Sequence, residues 1–202
     1  MTRLLLAAMM ALLTSVGAAW AEPFEDGAAA EGRGDYIEAM KQYRQAAEHG
    51  DAKAEHHIGT IYAKGLGVQQ NEAEADKWFL RSAEHGNAEC QFLIGFRYRD
   101  GWGGPPNYPE SLKWLRKAAE QGHTAAMGAL AIAYRNGEGV PEDNVRAHMW
   151  YNLQNSLSTK AYEQNIAKQM RDRMAAQMTP QQIEEAQKLA RECQQRKFKD
   201  CD

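Results

Sequence analysis

Residues 65–78 read GLGVQQNEAEADKW, residues 101–114 read GWGGPPNYPESLKW, and residues 137–150 read GEGVPEDNVRAHMW. Each stretch opens on Gly-x-Gly and closes on a tryptophan eleven residues after the second glycine. The three lie one fixed period of 36 residues apart, as Trp78, Trp114 and Trp150 show. Other residues keep the same register: Tyr62, Tyr98 and Tyr134; Gly50, Gly86 and Gly122; Ala47, Ala83 and Ala119. A period of this size marks a stack of repeated supersecondary units, each too small to bury its own apolar face. Such stacks usually present a surface to a partner.

Within one period the pattern predicts two antiparallel helices. Ala54, Ile58, Ile61 and Tyr62 have helical spacing over Ala52 to Lys64. Gly65 then ends the helix, because glycine tolerates the left-handed exit. Ala75, Trp78, Phe79 and Ala83 mark a second helix over Asn71 to His85, which Gly86 ends. Small residues recur where the helices meet (Ala54, Cys90 and Ala126; Gly59, Gly95 and Ala131), and large ones fill the space between. Asp35, Asn71, Asn107 and Asp143 share one register as N-caps. Glu38, Glu74 and Glu110 follow three residues later and complete a capping-box pattern, which Arg146 breaks in the fourth copy. Asp35 to His49 is therefore a second helix of a pair, preceded by a truncated first helix over Glu25 to Glu31.

The run Ala54-x-x-x-Ile58-Gly59-x-x-Tyr62-x-x-Gly65-x-Gly67-Val68, followed by Ala75, Trp78, Ala83 and Gly86, resembles the Sel1-like repeat. That family is a relative of the tetratricopeptide repeat with longer loops between its helices. The resemblance runs from Ala28 to Leu153. It implies an all-α fold, an α-solenoid of antiparallel helix pairs with a 36-residue period, over residues 22–156. Gly104, Pro105 and Pro106 depart from the Val-led loop of Val68 and Val140, and Ala131 departs from the helix glycine. After Ser156 the period stops. Thr159 to Met178 reads as one helix, and Thr179-Pro180 opens a last one carrying Ile183, Ala186, Leu189 and Ala190. The Met-Thr-Pro-x-Gln-Ile-x-x-Ala-Gln stretch is similar to the tail of many bacterial Sel1-like proteins. Residues 157–202 are expected to cap the apolar face of the last repeat.

The N-terminus carries Arg3, the apolar run Leu4 to Leu13 and the small-x-small stretch Ala19-Trp20-Ala21. This is the pattern of a secretory signal peptide over residues 1–21, with a mature chain from Glu22 in the periplasm or outside the cell. No later segment is apolar enough to cross a bilayer. The whole chain has a formal net charge of −3, and one unit more negative without Arg3. That disfavours nucleic acid or anionic lipid as a ligand.

Little in the chain points to chemistry. His49 and His85 stand at helix C-termini, where an imidazolium suits the dipole. His56 and His57 are adjacent and form no i, i+4 metal pair; His123 and His148 have no evident partner. The Gly-x-Gly follows a helix, not a strand, so it is no phosphate loop. Gly-x-Ser-x-Gly and Ser-x-x-Lys are absent. The expectation is a non-catalytic module without cofactor or metal that binds another protein or peptide. An immunity protein against a toxin is an alternative that the family resemblance allows, and an assembly or quality-control adaptor for envelope or secretion machinery is a second. A hydrolase or β-lactam-binding enzyme is another, though no motif supports it. Cys90 falls in the small-residue register. Cys193 and Cys201 are close enough in sequence, in an exported chain, to pair. Straight helix between them would hold their Cα atoms about 12 Å apart, so the helix must end near Arg196.

In the tetratricopeptide geometry that the resemblance implies, the first helices of the pairs line the concave face. Off their packing stripe stand Lys53, His56 and Thr60, then Phe92, Phe96 and Arg99, then Ile132 and Arg135. The middle repeat differs, with two aromatics one turn apart where its neighbours carry His56 and Thr60 or Gly128 and Ile132. An aromatic pair beside two arginines suits a protein segment of apolar and acidic character. The competing reading buries both rings against a neighbouring repeat or the cap. Trp102 is a second aromatic candidate unless it folds back onto the second helix of its pair.

Overall fold

The structure, a computed structural model, describes residues 23–201. The predicted signal segment lies outside these residues. Ten helices and no strand are present among the described residues. α1 covers residues 23–32. There follow α2 (Tyr36–Glu48), α3 (Ala52–Lys64), α4 (Glu72–Glu84), α5 (Ala88–Asp100) and α6 (Tyr108–Glu120). α7 (Thr124–Asn136), α8 (Asn144–Leu157), α9 (Ala161–Ala175) and α10 (Pro180–Gln195) complete the chain. It divides into two compact units that part between Asn87 and Ala88.

The repeat period becomes helix boundaries through backbone hydrogen bonds. Asp35, Asn71, Asn107 and Asp143 each accept, through the side chain, the amide three residues on. The return half of the expected capping box is not made in these repeats. The cap amides of Asn71, Asn107 and Asp143 donate instead to the carbonyls of Tyr62, Tyr98 and Tyr134 on the preceding helix, at 2.8–3.0 Å. The glutamates, left without that amide, pair with Lys41, Lys77 and Lys113. Arg146 keeps a link of opposite sign, its guanidinium 2.6 Å from Asp143. Only Thr179, of these caps, closes a full box, with Gln182. Gly65 and Gly137 take left-handed φ of 66° and 70° where α3 and α7 end.

In the first unit, α3 packs on α4 and α2 on α3. Its core joins Tyr43, Ile58 and Ile61 to Ala30, Ala39 and Ala54. Glu55 is fully buried, with Arg81 Nε at 2.5 Å and His85 Nδ1 at 2.8 Å. His85 is thus more than a residue suited to a helix dipole: beside the Arg81–Glu55 ion pair, it makes a second polar link between the two helices. One period on, Gln91 and Gln121 hold the same two places as an amide pair at 2.8 Å. One further on the places fall to Met127, in the apolar core, and Leu157, partly buried against it.

In the second unit, α5 packs on α6, α7 on α8, and both α9 and α10 on α8. Met174, Ala190, Cys193 and Cys201 join Trp150, Leu153 and Met127 in one core, so the tail covers the last repeat. Cys90 is buried and takes no part in a disulfide. α10 ends at Gln195, and the chain turns back through Lys197, Phe198 and Asp200, all at positive φ. Cys193 and Cys201 are joined there by a disulfide, with Cα atoms 5.1 Å apart. α9 is shorter than its sequence pattern predicts. It starts at Ala161 because Ser158 is extended and spends its hydroxyl on Glu163, 2.8 Å away.

Glu163 also receives Thr124 Oγ1 of α7 at 3.1 Å and Lys160 Nζ at 3.0 Å. Burial alone would raise its pKa. The hydrogen bonds from Ser158, Lys160, Thr124 and Tyr162 outweigh that and lower it to about 2. A carboxyl depressed in the folded state stabilises above its unfolded pKa and loses that contribution as pH falls toward the folded one. Glu163→Gln should therefore cost about 2 kcal/mol at pH 7, or about 4–8 °C in Tm. The difference from wild type should vanish as pH falls from about 4.5 toward 2 in parallel thermal melts.

His148 of α8 is 3% exposed, and its Nδ1 has no hydrogen-bond partner among the described residues. Burial, joined by the charge of Arg171 and opposed by Asp172, lowers its pKa. Its neutral form therefore belongs to the folded state, and stability should drop as pH falls below about 6.5. Melts of wild type and His148→Gln at pH 7.5 and 5.5 check this, with the smaller drop expected for the variant.

Candidate functional site

A groove of about 310 Å³ opens in the second unit. α5 sends Phe92 and Phe96 into it from successive turns, their ring centroids 6.1 Å apart. α7 contributes Gly128, Ile132 and Arg135; α8 contributes Tyr151 and Gln154. Ile166 and Met170 of α9 close the other side. The groove is thus built by two repeats together with the first helix of the tail.

Local packing sets how far each ring reaches. Phe92 is half-buried and stacks on the His123 ring at 4.9 Å. Phe96 is 40% exposed, with the Arg99 guanidinium over its face at 5.6 Å. Gly128 stands one period after Phe92 and keeps the floor low. A Cβ there would come within 2.7 Å of the Gln154 carboxamide.

The two arginines differ. Arg99 Nε is bound to Glu138 at 3.0 Å. Arg135 is exposed and reaches only Asn136 Oδ1 at 3.0 Å and Met170 Sδ at 4.0 Å, with no carboxylate in ion-pair range among the described residues. Burial raises the pKa of the Tyr151 phenol on the floor, and the nearby charges of Arg135 and Arg99 oppose the rise.

Lys53, His56 and Thr60 belong to the first unit and do not line this groove. Lys53 Nζ lies over the Phe24 ring at 5.9 Å, and His56 faces the Phe79 ring at 6.0 Å. Thr60 spends its hydroxyl on the His56 carbonyl. His57 and Tyr43 both bind Glu31 Oε2, at 2.8 and 2.6 Å. Burial, reinforced by that carboxylate, raises the Tyr43 pKa. His123 has partners that the sequence did not reveal. Its Nδ1 caps α7 by accepting the Ala126 amide, and its Nε2 faces Glu89 at 3.0 Å. The register of His123 with the cap Asp51 was the available signal. Trp102 folds back, but edge-on against Tyr98 of α5, the first helix of its pair and not the second, with 5.6 Å between centroids. No cluster of three His, Cys, Asp or Glu side chains placed to hold a metal occurs among the described residues. No described helix is long and apolar enough to cross a membrane.

The Sel1 repeat model matches residues 24–51, 52–87, 88–123 and 124–153. The chain belongs to the Sel1 repeat family. Sel1 repeats generally mediate protein–protein interaction and are typically non-catalytic scaffolds. A Sel1 repeat protein from Oxalobacter formigenes is 36% identical with a TM-score of 0.55, over 60% of this chain and 48% of that one. The fold is also similar to that of c5321, a protective antigen of uropathogenic Escherichia coli displaying an SLR fold. There the identity is 23% and the TM-score 0.58, over 90% of this chain and 47% of that one. The chain thus spans about half the length of these two structures. No curated protein matches it.

Phe92 and Phe96 should separate by their packing. Phe96→Ala should leave the melting temperature within about 2 °C of wild type, since exposed substitutions usually stay within 0.5 kcal/mol. Phe92→Ala should lower it by about 4 °C or more, because it unstacks His123 and opens a void beside the core. Thermal melts by circular dichroism check both.

Proposed function

We propose that this Sel1 repeat protein is a non-catalytic binding module of the bacterial envelope, exported through the signal peptide predicted at residues 1–21, and that it holds a partner protein in the groove of its second unit. The observation that carries the reading is the exposed ring of Phe96 beside Phe92, Ile166 and Met170 in one open groove. Aromatic side chains on rigid helices offer large contact area at little entropic cost, and such residues tend to dominate interface energies. The rest of the described surface supports this over catalysis. His57 and His85 are bound to carboxylates, His123 caps α7, and the N3 glutamates pair with lysines.

The test uses the full chain with a C-terminal tag, expressed in a Gram-negative host. The tagged protein should be recovered from the periplasmic fraction with Glu22 as its first residue. Wild type should retain a protein from periplasmic extract that Phe96→Ala, equally folded, does not retain. Recovery of the chain with Met1 intact in the cytosol contradicts the envelope role. Equal retention by Phe96→Ala contradicts the groove as the site.

A further inference from the structure

The groove has a polar floor under its apolar walls, and the two together select one kind of occupant. Gln154 is 9% exposed and lies beneath Gly128. Its carboxamide has no hydrogen-bond partner among the described residues and lines the groove beside Tyr151, itself 3% exposed. The carboxamide faces the open groove, so an occupant that covers it must supply the hydrogen bonds that water otherwise makes or bear the cost of desolvating it. A carboxamide offers a donor and an acceptor on one carbon. A peptide unit offers the complementary acceptor and donor, whereas a hydrocarbon chain offers neither.

The rim adds a charge requirement. Arg99 is neutralised by Glu138, but Arg135 enters the groove without a carboxylate partner. One positive charge therefore remains for the occupant to balance, and a guanidinium fork suits a carboxylate. The apolar part of the groove lies between Phe96 on α5 and Ile166 and Met170 on α9. Its volume, near the lower limit for a ligand pocket, suits a single large side chain and the backbone that bears it.

We infer that the groove recognises a short peptide segment of its partner in which an apolar side chain sits beside an aspartate or glutamate: the apolar group between Phe96 and the α9 residues, the backbone on Gln154, the carboxylate on Arg135. This rests on the reading of the groove as a protein-binding site and names the chemistry it reads. It also gives α9 a second role. The helix covers the last repeat and at the same time forms one wall of the site.

A phage library of random octapeptides, panned on the full mature chain, tests the inference. Wild type should enrich peptides with an apolar residue next to Asp or Glu, and a synthetic peptide of the enriched sequence should bind in fluorescence polarisation. Arg135→Glu should weaken that peptide at least ~10-fold, and panning on this variant should enrich Lys or Arg at the acidic position. Ile166→Asp, on the exposed α9 wall, should weaken it by a similar factor. Both substituted residues are exposed, and circular dichroism confirms folding before each titration. Peptides lost on Phe96→Ala but free of acidic residues, or unaffected by Arg135→Glu, overturn the inference and leave the groove as a protein site. A failure to enrich any peptide, or enriched peptides that bind Phe96→Ala as tightly as wild type, overturns it together with the reading it rests on.

Discussion

Two of the helix pairs depend on a missing methyl group. A Cβ placed on Gly59 would lie 2.7 Å from the Phe79 ring, and one on Gly95 would lie 2.9 Å from Leu115. Each glycine weakens its own helix by about 1 kcal/mol relative to alanine. The close approach it permits brings the partner helix into contact along its length, which offsets that cost through burial and dispersion. The rest of each pair follows from this contact. The helices must exit sharply at Gly65 or Gly137, and the next cap must lie near enough to donate its amide to the registered tyrosine carbonyl. In the last pair the glycine becomes Ala131, and Tyr151, in the register of Phe79 and Leu115, lines the groove.

Stability and the proposed recognition share the same helices in the second unit. α9 is held by Glu163, which collects hydroxyls from α7 and from the α8–α9 turn, and by Met174 in the core. The opposite end of its apolar stripe stays open, with Ile166 half exposed. A helix anchored through one part and open along another can meet a partner without losing its hold on the repeats. The carboxyl-terminal bridge secures the far side of the cap, where Phe198 and Cys201 pack against the same core as Trp150.

The sequence revealed what the period carries and missed what lies off it. Helix limits, the four registered caps and the left-handed glycines could all be read because each depends on residues a few positions apart. The need for α10 to end near Arg196 could be read from the reach of a disulfide. The Glu55–His85 pair could not, because it joins residues 30 apart whose types change to glutamine and then to apolar in later repeats. The His123 cap escaped because imidazole is an unusual N-cap, although Asp51 shares its register. Phe92, Phe96, Ile132 and Arg135 could be placed on one face from the repeat alone. Tyr151, Gln154, Ile166 and Met170 could not, since α9 has no periodic counterpart and its docking is set by tertiary packing. The expectation of a complete capping box missed that the tyrosine carbonyls compete for the cap amides.

The proposed partner site is one groove, walled by α5, α7, α8 and α9. Methyl-resolved NMR measures this directly, with labelled isoleucine and methionine and the protein recovered with the chain as titrant. Shifts should concentrate at Ile132, Ile166 and Met170, with Ile58 and Ile61 in the first-unit core unmoved. Shifts that spare these three methyls while others in the chain move on binding would contradict it.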